Sequence, residues 1–113
     1  MSKLTVVICG GKERASSYYE VASCEAFDLE TQTFSDFAEM MEPRSYHVVV
    51  YFQFLDTLIA IGGDYKKKSC EQFDPVANKW GPFAPLNEGR HSFGATVIDD
   101  RIFVAGGVGV DSV

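Results

Sequence analysis

Three cysteines are the residues best suited to covalent or metal chemistry in this chain: Cys9, Cys24 and Cys70. Their number is odd and no Cys-x-x-Cys pair occurs, so the pattern favours neither a disulfide framework nor a zinc site. Cys24 and Cys70 occupy equivalent places in an internal repeat, and Cys9 precedes a double glycine. We therefore expect three buried thiols, with redox sensing by Cys24 or Cys70 as the alternative.

Two histidines, His47 and His91, are the remaining candidates for acid–base work or metal binding. No serine, cysteine or carboxylate lies at a spacing that indicates a catalytic triad. The stretch Gly107–Ser112 has two glycines of a dinucleotide fingerprint but lacks the third. The sequence thus predicts a protein that is not an enzyme, with no catalytic residues, no cofactor and no metal.

Composition narrows the class of protein further. The 113 residues are 46 % hydrophobic and 23 % charged, which is typical of one small globular domain. The net charge of −6 repels phosphate and argues against nucleic acid as a partner. The longest apolar run, Val48–Leu55 with Gln53 inside it, is too short to span a membrane. The first residues lead into a strand-like run rather than a signal region, so we expect a cytoplasmic protein that contacts no membrane.

The elements that must position these residues are repeated along the chain. Residues 24–44 align with residues 70–90 without a gap. The identical pairs are Cys24–Cys70, Glu25–Glu71, Phe27–Phe73, Asp28–Asp74, Phe37–Phe83, Ala38–Ala84, Glu42–Glu88 and Arg44–Arg90. Phe34 lies opposite Trp80 in this alignment, and Met40 lies opposite Leu86. An internal repeat of this length indicates a modular architecture.

A second element occurs three times, as an apolar run closed by two glycines: Gly10-Gly11, Gly62-Gly63 and Gly106-Gly107. The runs are short, β-branched and aromatic, which predicts strands. The first half of one unit is clearest in the last copy: a strand (Phe93–Ile98), a turn at Asp99-Asp100 and a strand ending in the double glycine. The second half is clearest in the copy before it: a strand around Cys70–Phe73, a turn at Asp74–Lys79 and a strand opening at Trp80. Four strands per unit, repeated radially, describe a propeller blade.

At these residues the chain resembles the Kelch family of β-propellers. The family pattern is a strand ending in double glycine, then Glu-x-Tyr-Asp-Pro-x-x-Asn-x-Trp, then an arginine that opens the next blade. The chain carries Gly62-Gly63, Glu71–Trp80 and Arg90 in this order, with Phe27 and Phe73 where tyrosine is usual. The first copy has Leu29, Gln32 and Phe34 in place of proline, asparagine and tryptophan, so its turn is less well specified. The resemblance implies an all-β fold of Kelch-type propeller blades, each a four-stranded antiparallel sheet, in an incomplete ring.

The resemblance divides the chain into about two and a half repeats. Residues 1–54 are the first repeat with the first strand of the next blade, residues 55–100 the second, and residues 101–113 the start of a third. Propellers need about 4–8 blades to close. We therefore expect a piece of a longer protein, which needs further blades in cis or self-association to complete a ring.

The motif residues have predicted structural roles. The three double glycines adopt positive φ and approach neighbouring chains closely. Asp28 and Asp74 accept backbone hydrogen bonds in turns. Phe34 and Trp80 bury apolar area between blades. Arg44 and Arg90 bond backbone carbonyls and neighbouring acids.

The loops beside the double glycines are the predicted contact surface for a protein partner, as the resemblance implies. Three adjacent lysines make a positive patch for an acidic partner, unless they are only solvated loop. Tyrosines pair apolar area with a polar tip and serve as binding anchors. The predicted partner-binding residues are Tyr18, Tyr19, Ser45, Tyr46, Tyr65, Lys66, Lys67, Lys68, His91 and Ser92.

By the same resemblance, we expect a non-enzymatic protein-interaction module within the substrate-recognition propeller of a BTB–Kelch adaptor. Such adaptors present substrates to a cullin ubiquitin ligase, so the partner would be a ubiquitin-ligase substrate. An actin-binding Kelch protein is the alternative. An enzyme resembling galactose oxidase ranks last, because its copper would need ligands from a chain with only two histidines.

Overall fold

The computed structural model describes residues 5–12, 19–64 and 67–109, and within these ranges the regular structure is strand apart from one 3-10 turn, Gln53–Leu55. The longer strands are β1 (Thr5–Cys9), β2 (Cys24–Asp28), β3 (Thr33–Phe37), β4 (Val48–Phe52), β5 (Thr57–Ile61), β6 (Cys70–Asp74), β7 (Lys79–Phe83), β9 (Gly94–Ile98) and β10 (Arg101–Ala105). The two short ones are β8 (Arg90–His91) and β11 (Val108–Gly109). In these ranges no helix is long and apolar enough to cross a membrane.

The strands form antiparallel sheets. Sheet 1 has the order β1-β2-β3, sheet 2 the order β4-β5-β6-β7, and sheet 3 consists of β9 and β10. The short strands β8 and β11 pair separately. Sheet 2 is a complete four-stranded blade flanked by two partial ones, and together they leave the ring open. The predicted all-β class and blade architecture are confirmed.

The central sheet is buried on both faces because its inner strand β5 is apolar from Leu58 to Ile61. In β5, Leu58 and Ala60 point towards sheet 1, whereas Ile59 and Ile61 point towards sheet 3. Successive side chains of a strand alternate between faces, so one strand serves two cores. All five residues of β5 are buried, in contrast to the alternating burial of β9 and β10.

The core between sheets 1 and 2 is organised around Trp80. Its side chain is 4 % exposed, lies 5.5 Å from the ring of Phe73, and donates a hydrogen bond from Nε1 to the Ala38 carbonyl at 2.9 Å. Phe37 of sheet 1 packs on Phe73 with ring centroids 4.6 Å apart. Trp80 thus lies in the core between two neighbouring sheets.

The prediction for Phe34, the repeat equivalent of Trp80, is wrong. Phe34 is 61 % exposed and contacts Phe27, with ring centroids 4.7 Å apart. The face of sheet 1 that carries these two rings has no further sheet on it in the described part of the chain. An aromatic residue at the same repeat position is thus buried or exposed according to whether a neighbouring sheet covers it.

The two predicted aspartate turns have the same geometry. Asp74 Oδ1 accepts hydrogen bonds from Val76 N at 2.9 Å and Ala77 N at 3.2 Å. Asp28 Oδ1 accepts equivalent bonds from the backbone N–H groups two and three residues on, at 2.8 and 3.2 Å. Asn78 and Gln32 follow with φ of 54° and 56°. The first turn therefore forms as fully as the second, because the aspartate supplies the bonds that define it.

Trp80→Ala is expected to lower the free energy of unfolding by about 3–5 kcal/mol, because a buried indole and its hydrogen bond are both lost. Val76→Ala is the control, since Val76 is 95 % exposed, and should change the value by less than about 0.5 kcal/mol. Urea melts followed by circular dichroism give both numbers. If both variants lost the same unfolding free energy, Trp80 would not be a core residue.

Candidate protein-binding face

The loops that follow the double glycines and the loops that link one sheet to the next meet at one end of the sheets. We call this surface the GG face, and it consists of Lys12, Tyr19, Glu20, Ser45, Tyr46, Asp64, Lys67, Lys68, His91 and Ser92. Backbone hydrogen bonds join its loops: Asp64 N donates to Ser45 O at 2.8 Å, and Ser92 N donates to Tyr46 O at 2.8 Å. The face is therefore one continuous surface that crosses the sheet boundaries.

Arg44 holds the GG face together from beneath. Its backbone belongs to the sheet 1 side, where its carbonyl accepts from Gly11 N at 2.6 Å and its N–H donates to Val21 O at 3.2 Å. Its guanidinium, which is 0 % exposed, reaches into sheet 2. There it donates to the Gly62 carbonyl at 2.8 Å and to the Ser69 carbonyl at 2.7 Å.

Glu71 supplies the opposite charge. The Arg44 Nε and Nη2 atoms donate to Glu71 Oε2 at 3.1 and 3.0 Å, and Glu71 is 1 % exposed. The Glu71 carboxylate also accepts from Met41 N at 2.5 Å and Glu42 N at 3.1 Å. A buried ion pair is tolerated only when further hydrogen bonds satisfy both partners, as they do here. The pair thus connects β6 to the linker that leads from sheet 1 to sheet 2.

The same clamp is repeated in part at the next boundary. Arg90 Nη1 donates to the Gly106 carbonyl at 3.0 Å, as Arg44 does to Gly62, and Arg90 O accepts from Gly63 N at 3.0 Å. The described part of sheet 3 contains β9 and β10 only, without a strand equivalent to β6. Both arginines thus bond to backbone carbonyls, and in the described residues Arg44 also has a buried acid as its partner.

The glycines permit these close approaches. A Cβ at Gly10 would lie 2.5 Å from the Arg44 carbonyl oxygen, and a Cβ at Gly62 would lie 2.8 Å from that of Arg90. Both residues also have positive φ, 70° and 59°. A larger residue at either position would push the linker out of the clamp.

The charges on the GG face are largely paired. Lys67 Nζ lies 3.4 Å from Glu20 Oε2, and Ser45 Oγ donates to Glu20 Oε1 at 2.8 Å. Asp64 lies 3.9 Å from both Lys12 Nζ and His91 Nε2. These contacts link loops that are far apart in the sequence, and they fix both signs of charge on one surface.

Aromatic and backbone features complete the face. The Lys12 ammonium lies 5.1 Å from the ring centroid of Tyr46, whose ring lies 6.3 Å from that of His91. Tyr46 and Ser92 each lie two residues after a clamp arginine and have φ of 52° and 56°. Tyr46 is 57 % exposed in spite of these contacts. The equivalent strained backbones present both side chains outward.

Of the predicted partner-binding residues, the structure brings Ser45, Tyr46, Lys67, His91 and Ser92 into these contacts. Ser45 is only 2 % exposed, so it supports the face from beneath and cannot itself contact a partner. Tyr19, which is 76 % exposed, and the exposed Lys68 lie at the edge of the same surface. Tyr18, Tyr65 and Lys66 lie outside the described residues. Lys12, Glu20 and Asp64 also belong to the face. They lie in the loops beside the double glycines, residues 12–23 and 64–69, which the resemblance places on the contact surface, although they are not among the predicted contact residues.

His47 lies half-buried behind the face. Burial lowers its pKa from the ordinary value of 6.5, and the nearby Arg44 charge acts in the same direction. The Cys9 carbonyl, Glu20 and Glu71 oppose this shift without cancelling it. The His47 Nδ1 atom has no hydrogen-bond partner in the described part of the chain. Protonation of this side chain is therefore less favourable in the folded protein than in the unfolded chain.

The chain is similar to several curated Kelch proteins, although no family model matches it. It is 31 % identical to Kelch-like protein 40 from Mus musculus over 91 % of its length, and 31 % identical to beta-scruin from Limulus polyphemus over 90 %. It is 30 % identical over 90 % of its length to Kelch-like ECH-associated protein 1A from Danio rerio. It spans only 17 %, 12 % and 17 % of these relatives, respectively.

A solved structure has the same fold. That solved structure is of a novel fungal alcohol oxidase of the AA5 family in complex with copper. The TM-score is 0.78, and the match covers 96 % of this chain and 26 % of the oxidase. The sequences are 18 % identical, so the likeness concerns the fold alone.

Glu71→Gln is expected to cost about 3–5 kcal/mol of unfolding free energy, because it leaves the buried Arg44 charge without its carboxylate. The matched control is Glu25→Gln, at the equivalent position of sheet 1, where the side chain is exposed. That change should stay within about 0.5 kcal/mol. If the two variants melt alike in urea, the clamp does not stabilise the fold.

Acidification is expected to weaken the fold through His47. Since its pKa is lowered in the folded state, the unfolded chain binds the extra proton more readily below the ordinary value of 6.5. Stability is thus intact above that pH and lost as the pH falls below it. The urea midpoint should fall between about pH 7.5 and pH 5.5. His47→Gln should reduce this decline, and the control His91→Gln should retain it.

Proposed function

Because this chain belongs to the Kelch-repeat family, we propose that it is a non-enzymatic protein-interaction module and that the GG face is its binding surface. The observation that carries the proposal is the Arg44–Glu71 clamp. It fixes the loops of neighbouring sheets relative to one another from below, while Tyr19, Tyr46, Lys68 and Ser92 above it remain exposed. Preorganised loops lose little conformational entropy on binding, which favours recognition of a partner.

The chemistry of the face favours a partner with polar and apolar groups of its own. Tyr19 and Tyr46 offer large exposed rings, and aromatic residues of this kind carry much of the energy of protein interfaces. Lys68 is exposed, whereas the charge of Lys67 is shared with Glu20. Acidic groups of the partner would therefore be steered by Lys66 and Lys68 more than by Lys67.

The finer role that we propose is substrate recognition within a BTB–Kelch adaptor of a cullin ubiquitin ligase. Support comes from the names of relatives, which include a "Kelch repeat and BTB domain-containing protein 12" from Danio rerio, 24 % identical to this chain. The partner would be a ubiquitin-ligase substrate. Further blades in cis, or self-association, would complete the ring around the three sheets, and the location would be the cytoplasm.

Actin binding is the second candidate within the same class of function. Sedimentation with filamentous actin separates it from substrate recognition, since only an actin-binding chain would pellet with the filaments. An oxidase activity like that of the structural neighbour is the least favoured candidate, because this chain has only two histidines to offer copper. Metal analysis of the purified protein tests that candidate.

Tyr46 is expected to be the strongest single contact. Tyr46→Asn should weaken binding of the partner, once identified by photocrosslinking from the GG face, by about tenfold or more. Asparagine is chosen because it accepts the positive φ at this position. Tyr51→Asn is the control, since Tyr51 is 50 % exposed on β4, outside the GG face. Wild-type affinity in the Tyr46 variant, with an unchanged melting temperature, would place the contact elsewhere.

A further inference from the structure

Two of the three cysteines face each other across sheet 1. Cys9 of β1 lies directly opposite Cys24 of β2 in the antiparallel register. The next opposed pair carries a ladder hydrogen bond, from Gly10 N to Ser23 O at 2.9 Å. Since hydrogen-bonded and non-bonded pairs alternate, Cys9 and Cys24 form a non-bonded pair, the type with the shorter separation, about 4.5 Å between Cα atoms. That separation falls within the range that disulfides span.

The two thiols also share one environment. Both point into the core between sheets 1 and 2, where Cys9 is 9 % and Cys24 5 % exposed. The adjacent Cys9 thiol lowers the pKa of Cys24, an effect that burial opposes, and the adjacent Cys24 together with burial raises the pKa of Cys9. Backbone N–H groups of Met40 and Gly10 also lower the pKa of Cys24. Cys24 is thus the thiol that ionises first.

We propose that Cys9 and Cys24 form a reversible cross-strand disulfide when the protein meets a peroxide. The Cys24 thiolate attacks one oxygen of hydrogen peroxide, the O–O bond breaks, and a sulfenic acid and hydroxide are formed. The Cys9 sulfur then attacks the Cys24 sulfur, the S–O bond breaks, and the oxygen leaves as water with the Cys9 proton. Two thiols are oxidised, and one peroxide is reduced to two waters. A cellular dithiol restores the pair by exchange.

The second repeat contains its own control. Cys70 occupies the place of Cys24 in sheet 2, but the residue opposite it is Ile61. Burial raises the pKa of the Cys70 thiol, in contrast to Cys24. Cys70 therefore combines a less ionised sulfur with an apolar neighbour, and it should remain a thiol under conditions that oxidise the other two.

The bond would act on the GG face. Tyr19 and Glu20 lie between the two cysteines in the sequence, and the two ends of this segment are joined by the hydrogen bond from Gly10 N to Ser23 O. A disulfide one residue below that bond would tie β1 to β2 covalently. Among the described residues β1 pairs with β2 alone, so it is the strand that gains most from the link.

The experiment exposes the full chain to a small excess of hydrogen peroxide without denaturant, blocks free thiols, and maps tryptic peptides by mass spectrometry. We expect a monomer lighter by two hydrogen atoms, with the peptide Leu4–Lys12 joined to the peptide Ala15–Arg44. We also expect Cys70 to carry the blocking reagent, because it remains a free thiol during the peroxide treatment. Dithiothreitol should restore three thiols. Cys24→Ser should abolish the link, and Cys70→Ser should leave it unchanged.

Ile61→Cys keeps the proposal falsifiable if Cys24→Ser folds poorly. This variant places a second opposed pair in sheet 2, and it should acquire a second disulfide, to Cys70, beside the first. The proposal fails if peroxide leaves Cys9 and Cys24 as thiols while the Ile61→Cys variant forms only its engineered bond. It also fails if Cys24 is linked to Cys70 or to another chain, since register would then not decide the pairing.

Discussion

The fold depends on one buried arginine that belongs to two sheets at once. The backbone of Arg44 is part of the boundary with sheet 1, and its guanidinium is part of sheet 2. Removing this charge from water is costly, and the cost is offset because Nε, Nη1 and Nη2 are all satisfied by Glu71, Gly62 and Ser69. Apolar packing alone would let sheets slide over each other. The clamp fixes the position of one sheet relative to the next, and it thereby also fixes the loops of the GG face, which connect these sheets.

Much of this architecture could be predicted from the sequence because the repeat carries local signals. The double glycines, the aspartate turns and the strand at Trp80 each depend on a few adjacent residues. The structure therefore has them at the positions that the sequence motifs predict. The turn at Asp28 shows how strong such signals are: it forms with Leu29 and Gln32 in place of the usual proline and asparagine. The departure from the pattern weakened the expectation and left the geometry unchanged.

The rest depends on neighbours that a sequence does not reveal. Phe34 is exposed because its face of sheet 1 has no described partner, although its repeat equivalent is buried. Lys67 is adjacent to two other lysines in the sequence, but in space it contacts Glu20 from the preceding repeat. Glu71 was visible as a matched repeat position and as the first residue of the family motif, but its role as the counter-charge of Arg44 depends on a contact across 27 residues. The pairing of Cys9 with Cys24 likewise depends on register, which spacing alone did not indicate.

The double role of β5 has a consequence for how the molecule comes apart. Alternate residues of this strand belong to two different cores, so both of its faces are packed against a neighbouring sheet. Loss of sheet 3 would uncover one side of β5, and loss of sheet 1 the other, but in either case the remaining interface still holds it. Disruption of β5 itself removes both interfaces together. Fraying from the ends is therefore gradual, whereas the middle of the chain unfolds as a single cooperative unit.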